Sequence, residues 1–223
     1  MRVITNRPET DEIRFEAPLS ARVPFEMERF IHWFNMTAPG APHALAHPPV
    51  RAAIAHLYFE SIHPFEDGNG RIGRAIAEKA LAQGAGQASL TALSLMIHRR
   101  RKAYYDALRT ASLTNDLTEW IHTFTSLLIQ SQNEVESDVL FLVEKIRFFV
   151  RVTPLINPRQ AKVLNRMASE GRKGFAGGMN AATYQAIART SKATATRDLG
   201  ELHALGALTR TGAGPGVRYH LPF

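Results

Sequence analysis

Residues 47–81 constrain this chain more than any other stretch, because two helix-forming segments are joined there by a short loop rich in glycine and charge. In the first segment, Val50, Ile54, Leu57, Tyr58 and Ile62 recur at helical spacing behind Pro48 and Pro49. In the second, from Arg71 to Leu81, the residues Ile72, Ile76, Ala80 and Leu81 form another apolar stripe. Between them runs His63-Pro64-Phe65-Glu66-Asp67-Gly68-Asn69-Gly70, so the glycines fall at the N-terminus of the second helix. Unpaired backbone N–H groups and the positive end of the helix dipole bind anions there. Gly68 and Gly70 leave the backbone bare enough for phosphates to approach. Arg71 and Arg74, three apart, add charge-assisted contacts from one side of the first turn. Asp67 suits magnesium, which takes only one or two protein carboxylates and keeps phosphate and water ligands. His63 has the reference pKa of a general base at neutral pH. Phe65 is expected to anchor the loop in the core and Glu66 to face solvent. Residues 63–74 thus hold the parts of a nucleotide polyphosphate site with a base for an attacking hydroxyl.

Three rival readings of the same letters fail. Gly68, Gly70 and Gly73 match a dinucleotide fingerprint, but they follow a helix and a Pro-Phe loop rather than a strand. Gly68–Ala75 has a P-loop outline, yet Arg74 replaces the lysine and Ala75 the metal-binding hydroxyl. Asp67, Asn69 and Glu78 fit calcium-loop positions, but Arg71 and Ile72 stand where an oxygen ligand and a glycine are needed.

The stretch resembles the signature of the Fic (filamentation induced by cAMP) family, HPFx(D/E)GNGRxxR, at every specified position. The resemblance implies a mainly α fold: a Fic-type helical bundle over residues 1–152 with a small β-hairpin flap. It implies transfer of AMP from ATP to a Ser, Thr or Tyr hydroxyl of a protein, this chain itself among the candidates, with release of pyrophosphate. His63 would be the base and Asp67 would hold Mg²⁺. Gly68, Asn69, Gly70, Arg71, Gly73 and Arg74 would contact the nucleotide. Residues 12–24 alternate between prolines and are expected to form the hairpin or an extended flap. Ile13, Arg14, Phe15 and Glu16 would dock the target segment there; an edge hairpin that only covers the core is the other reading. Residues 24–35 resemble the family's first core helix. Tyr104 and Tyr105 are similar to paired tyrosines that line the adenine pocket. Seven residues beyond Tyr105 many members place an asparagine, and Ser112 stands here instead, so the nucleotide base is less defined than the phosphates. Members are commonly inhibited by (S/T)xxxE(G/N), whose glutamate pairs with the second motif arginine, here Arg74. Glu170 is the only Glu followed by Gly or Asn, and Arg166 four residues earlier is neither Ser nor Thr. The expectation is a chain without that brake, a fragment or start-shifted form of its relatives.

Charge divides the chain. The net +7 arises from 27 Lys+Arg against 20 Asp+Glu. Residues 158–223 hold 10 basic groups and only Glu170, Asp198 and Glu201 as acids, leaving 17 against 17 before them. The excess belongs to the C-terminal segment, which points to two modules with different partners. The seam is read at residues 152–158, where Asn157, Pro158 and Gln160 fit a capping box with proline at the first helical position. Before it, residues 90–106, 117–132 and 134–151 read as helices and 107–116 as a connector; the basic run 98–102 reads as a solvated helix face without a role. After it, 158–170, 181–190 and 192–205 read as short helices, Gly206 as a C-terminal cap, and 207–210 with 217–221 as a hairpin. That order resembles a winged helix-turn-helix over residues 153–223, as many bacterial Fic proteins carry. Lys192, Thr194, Thr196, Arg197 and Arg218 are its candidate DNA contacts, and a protein-interaction or homodimerisation module is the other reading. A nucleotide-responsive DNA-binding regulator with little transferase activity is the alternative function. No apolar run is long enough to span a bilayer and residues 1–10 show no signal-peptide pattern. The absence of cysteine suits a reducing cytoplasm.

Overall fold

The protein is described by a computed structural model for residues 2–5 and 12–223, with residues 2–5, 12–16 and 215 taken as backbone. Two compact units divide between Val135 and Glu136. The flap hairpin pairs β1 (Arg2–Thr5) with β2 (Glu12–Glu16), antiparallel, Val3 opposite Phe15 and Ile4 opposite Ile13. An irregularity between Val3 and Ile4 leaves Arg14 as the extra residue of a bulge. Residues 12–16 are therefore one strand of the hairpin and not the whole of it, because 20–22 already turn into a short 3₁₀ segment. The side chains of Ile13, Arg14, Phe15 and Glu16 lie outside the described residues.

In the first unit α1 (Val23–Met36), α2 (Pro48–Ile62) and α3 (Asn69–Ala85) follow. Proline near the start of α1 and α2 costs no intrahelical bond and presets φ. Alpha-2 is the central element: nine of its side chains are buried, among them Arg51, His56 and Glu60. Arg51 ties three helices together. It donates to the Phe34 carbonyl at 2.7 Å, to Thr37 Oγ1 at 3.2 Å and to Gln83 Oε1 at 2.9 Å. Its guanidinium also lies 4.2 Å from the Phe34 ring centroid.

The segment expected as one helix at 90–106 breaks at Arg100, where φ −116° and ψ 31° interrupt α4 (Leu93–Arg99) before α5 (Arg101–Ala111). Alpha-5 continues through residues 107–111, which the sequence reading gave to a connector. Ala107, Leu108 and Ala111 pack on the first core there, and that tertiary contact extends the helix. Residues 118–152 form a single helix, α6 (Thr118–Val152), rather than two. Neither Pro nor Gly occurs in it to stop the helical ladder. Trp120 fixes its N-terminal part by donating Nε1–H to the Ala53 carbonyl of α2 at 2.8 Å.

The boundary between the units thus lies inside α6 and not at residues 152–158. The last turns of α6 give Phe148 and Val152 to the second core, with Val163, Leu164, Met167, Tyr184 and Leu199. That unit contains α7 (Pro158–Ala168), α8 (Ala181–Ala188) and α9 (Lys192–Ala204), then β3 (Thr209–Thr211) paired antiparallel with β4 (Arg218–His220). Asn157 and Gln160 form the expected capping box. Alpha-9 ends in a Schellman motif. Gly206 takes φ +66°, and the Ala207 N–H reaches the Leu202 carbonyl at 2.8 Å. Among the described residues no helix is long and apolar enough to cross a membrane.

Candidate active site

His63 terminates α2 in a left-handed conformation, φ 50° and ψ 58°, with its N–H on the Phe59 carbonyl at 3.0 Å. Apart from glycine, only His63 and Arg189 have positive φ among the described residues. Such strain persists only where the surroundings fix it, and it concentrates at functional sites. The ring is partly buried, and desolvation lowers its pKa against a raising contact with the Glu60 backbone. The imidazole is therefore kept in the neutral form that accepts a proton.

The loop after His63 is shaped by Asn69. Its Nδ2–H donates to the Phe65 carbonyl at 2.6 Å and its Oδ1 accepts from the Phe65 N–H at 3.0 Å. Asn69 is 3% exposed, so its side chain sets the loop and does not reach outward as the sequence reading had it. This fastening replaces the role expected of Phe65, whose ring is 47% exposed and touches Phe59 only along one side, centroids 6.4 Å apart. Gly68 has φ +87°, a value that favours glycine, and directs the chain into α3.

Asp67 is open to solvent. Its Oδ1 accepts the Gly68 N–H at 2.6 Å and its Oδ2 pairs with Arg71 Nη2 at 3.0 Å. Side-chain exposures of 92% for Asp67 and 73% for Arg71 leave both available to a ligand. Arg74, one turn deeper, is partly buried and turns over Gly70: a methyl group there would stand 3.2 Å from Arg74 Nη1.

Gly73 was expected to touch nucleotide, but it faces inward and is buried. A side chain at this position would collide with Glu60 Oε1 and press on the His56 ring at 3.1 Å. Its glycine serves the packing of α3 on α2. Behind it lies a polar cluster that the sequence reading missed. His56 Nε2 and Tyr104 Oη are 2.6 Å apart. His56 Nδ1 lies against the Gly73 backbone without a well-formed hydrogen bond. Burial drives the His56 pKa down to about 4, and Arg74 adds to the effect. Burial raises Glu60 to about 7 although Arg74 pulls it down. The signal available was His56 and Glu60 at i and i+4 on a mostly apolar helix, the second of them one turn before His63.

Tyr104 is likewise corrected. It is 3% exposed and packs in the core at a tilt against Trp120, so its ring is not open to a base. Tyr105 is 46% exposed and packs edge-on against Tyr104, with Arg101 5.8 Å from its centroid. Ser112 donates to the Arg109 carbonyl at 2.8 Å. It borders a shallow cleft of about 400 Å³ with Ala17, Pro18, Leu19, Arg22, Glu26 and Ser61. Ser61 belongs to the last turn of α2, so the cleft adjoins the helix that carries His63.

In the second unit Lys192, Thr196 and Arg197 are exposed at the start of α9, while Thr194 and Arg218 are half-buried. Ser191 caps the helix by accepting from the Thr194 N–H at 3.2 Å. Arg197 is 3.8 Å from Glu201, and Arg218 donates to the Val217 carbonyl at 2.9 Å.

The Fic/DOC family profile matches residues 3–81. A protein adenylyltransferase Fic of Drosophila mojavensis is 35% identical over 86 residues, 39% of this chain and 15% of that protein. A probable protein adenylyltransferase of Aquifex aeolicus is 39% identical over 61 residues, 27% of this chain and 17% of that protein. The matched segments therefore span less than a fifth of these relatives. A Fic family protein from Desulfovibrio desulfuricans is similar over 98% of this chain and 59% of its own, at 22% identity and a TM-score of 0.49. The complete signature at residues 63–74 lies inside the segment, residues 3–81, that matches the Fic/DOC family.

Proposed function

We propose that the first unit transfers AMP from ATP to a Ser, Thr or Tyr hydroxyl of a protein. The observation that carries this reading is the juxtaposition of a strained, neutral-favouring His63 with an α3 N-terminus made bare by Gly68 and Gly70. The backbone N–H groups there bind phosphate oxygens with the helix dipole. Arg71 and Arg74 add fixed positive charge where negative charge collects in the transition state. His63 accepts the proton of the attacking hydroxyl. The hydroxyl oxygen forms a bond to the α-phosphorus, and the bond from that phosphorus to the bridging oxygen breaks to release pyrophosphate. Most of the rate then comes from positioning and electrostatics.

The residues present fit magnesium. Asp67 offers one exposed carboxylate, and among the described residues no three His, Cys, Asp or Glu side chains gather as a softer metal requires. Asp67 would hold the ion once Arg71 releases its Oδ2, and Mg²⁺ when bound supplies charge neutralisation for the phosphates. Tyr105, through its exposed ring, is the partner for the nucleotide base.

We propose further that the second unit is a winged helix-turn-helix that binds duplex DNA through phosphates. The exposed Lys192 and Arg197 at the start of α9, followed by the β3–β4 hairpin, support this over a purely protein-binding role.

Incubation with ATP and Mg²⁺, followed by intact-mass analysis of the chain and of hydroxyl-bearing protein targets, tests the transferase. An adenylyl adduct on a hydroxyl, absent with His63→Ala, is the expected result. An adduct that forms equally with His63→Ala removes His63 from its role.

A further inference from the structure

Among the described residues Glu60 is the one buried carboxylate of the first unit, 8% exposed, and its Oε1 has no hydrogen-bond partner. It stands on the last turn of α2, one turn before His63. It points toward the stretch of α3 from which the glycines remove side chains. A methyl group at Gly70 would stand 4.0 Å from Glu60 Oε1 and 3.2 Å from Arg74 Nη1, so carboxyl and guanidinium converge on that point. Leaving a polar atom buried and unpaired costs about 1–3 kcal/mol, which calls for a compensating role.

We infer that Glu60 is a positioning residue that steadies Arg74 from inside the core and takes up a proton when a polyphosphate engages Arg74 from outside. The inference rests on the reading of residues 63–74 as a polyphosphate site. Arg74 is the charge that pulls Glu60 toward ionisation, and burial opposes it, so near neutral pH the group is divided between its two forms. A polyanion beside Arg74 offsets that positive field, and the balance moves toward the protonated acid. The proton comes from solvent and no bond of the nucleotide changes. By linkage, a ligand whose binding takes up a proton binds more tightly as pH falls through this window.

The groups that face Glu60 are His56 on its own helix, Arg74 on α3 and Tyr104 on α5, and the His63 ring lies against the Glu60 backbone. His56 is already neutral at this pH because burial holds its pKa near 4, and burial also raises Tyr104. Neither exchanges a proton near pH 7. His63 could, and the test removes it.

The test is calorimetric titration of Mg·ATP into the full chain at pH 7, in two buffers of different ionisation heat. His63→Ala is compared with His63→Ala/Glu60→Gln. The first variant abolishes turnover and His63 titration, and protons exchanged by ATP itself are common to both. The expected result is that the chain with Glu60 takes up more protons on binding, by roughly half a proton. A merely structural Glu60 would change stability but not the proton count, so equal uptake with both chains binding overturns the inference alone. Failure of both to bind Mg·ATP overturns the phosphate-site reading and the inference with it. Should the double variant not fold, the ¹³C carboxyl resonance of Glu60 is followed against pH in His63→Ala, with and without Mg·tripolyphosphate. A titration midpoint that rises with ligand supports the inference, and an unchanged one overturns it.

Discussion

Replacing His63 by glycine is expected to leave a more stable protein than replacing it by alanine, although both lose activity. His63 sits at φ 50° and ψ 58°. There an L side chain presses its Cβ on the following carbonyl at a cost of about 1–2 kcal/mol. Alanine keeps that cost and glycine is free of it, while the greater freedom of glycine in the unfolded chain returns about 0.5–1 kcal/mol. Both variants lose the imidazole and its partial burial equally, so the comparison isolates the backbone. The expected difference is about 0.5–1 kcal/mol in favour of glycine, roughly 1–4 °C in Tm for a unit of this size. Urea and thermal melts followed by tryptophan fluorescence make the measurement. The two tryptophans, Trp33 and Trp120, both belong to the first unit, so the signal reports that unit. An alanine variant as stable as the glycine variant, or more so, would refute the left-handed placement of His63. It would also remove the argument that strain is kept here for function.

Tyr105→Ala is expected to weaken nucleotide binding about tenfold, within the ~1–3 kcal/mol of a base-stacking contact. Tyr104→Phe is expected to leave nucleotide affinity unchanged but to strand His56 Nε2, costing about 1–3 kcal/mol in a urea melt. The raised pKa of Glu60 means that the folded state holds this proton more tightly than the unfolded chain. Its contribution is present below about pH 4.5 and is lost as pH rises through about 7. Glu60→Gln should therefore gain on the unmutated protein between pH 5 and pH 8, by on the order of 2–3 kcal/mol, in paired urea melts. Transfer by a neutral His63 should persist on the acid side to below pH 6.5 and then fall, since burial lowers its pKa. A pH–rate profile whose acid limb lies above pH 6.5 contradicts that environment. Duplex DNA binding by the full chain should weaken steeply with salt and sit near ~10⁻⁴–10⁻⁶ M at physiological salt. Lys192→Glu/Arg197→Glu should abolish it, and binding indifferent to that reversal would favour a protein partner.

The local signals in the sequence were strong where the chain carries its own punctuation. Pro48 and Pro49, the glycines after Asp67, the Asn157 box and Gly206 each fix a helix end through their own backbone chemistry. They were legible because nothing distant is needed to enforce them. The errors lie where a distant residue decides. Helical periodicity places Tyr104 and Tyr105 on α5 but does not say which ring meets His56, 48 residues away. Asn69 and Gly73 match the signature in either role, as ligands or as packing. Only the Phe65 backbone and the Glu60 carboxyl decide between them. The division inside α6 was invisible for the same reason: one helix supplies apolar faces to two cores, and its sequence carries no break.

The central claim is transfer from the α-phosphorus with His63 as base, and labelling with ATP carrying ³²P at either the α or the γ position tests it most directly. The account predicts protein-bound label from α-labelled ATP only, stoichiometric pyrophosphate release, and a rate about 10²–10⁴-fold lower in His63→Ala with Mg·ATP affinity largely retained. Label arriving from γ-labelled ATP, or equal rates with and without His63, would contradict it.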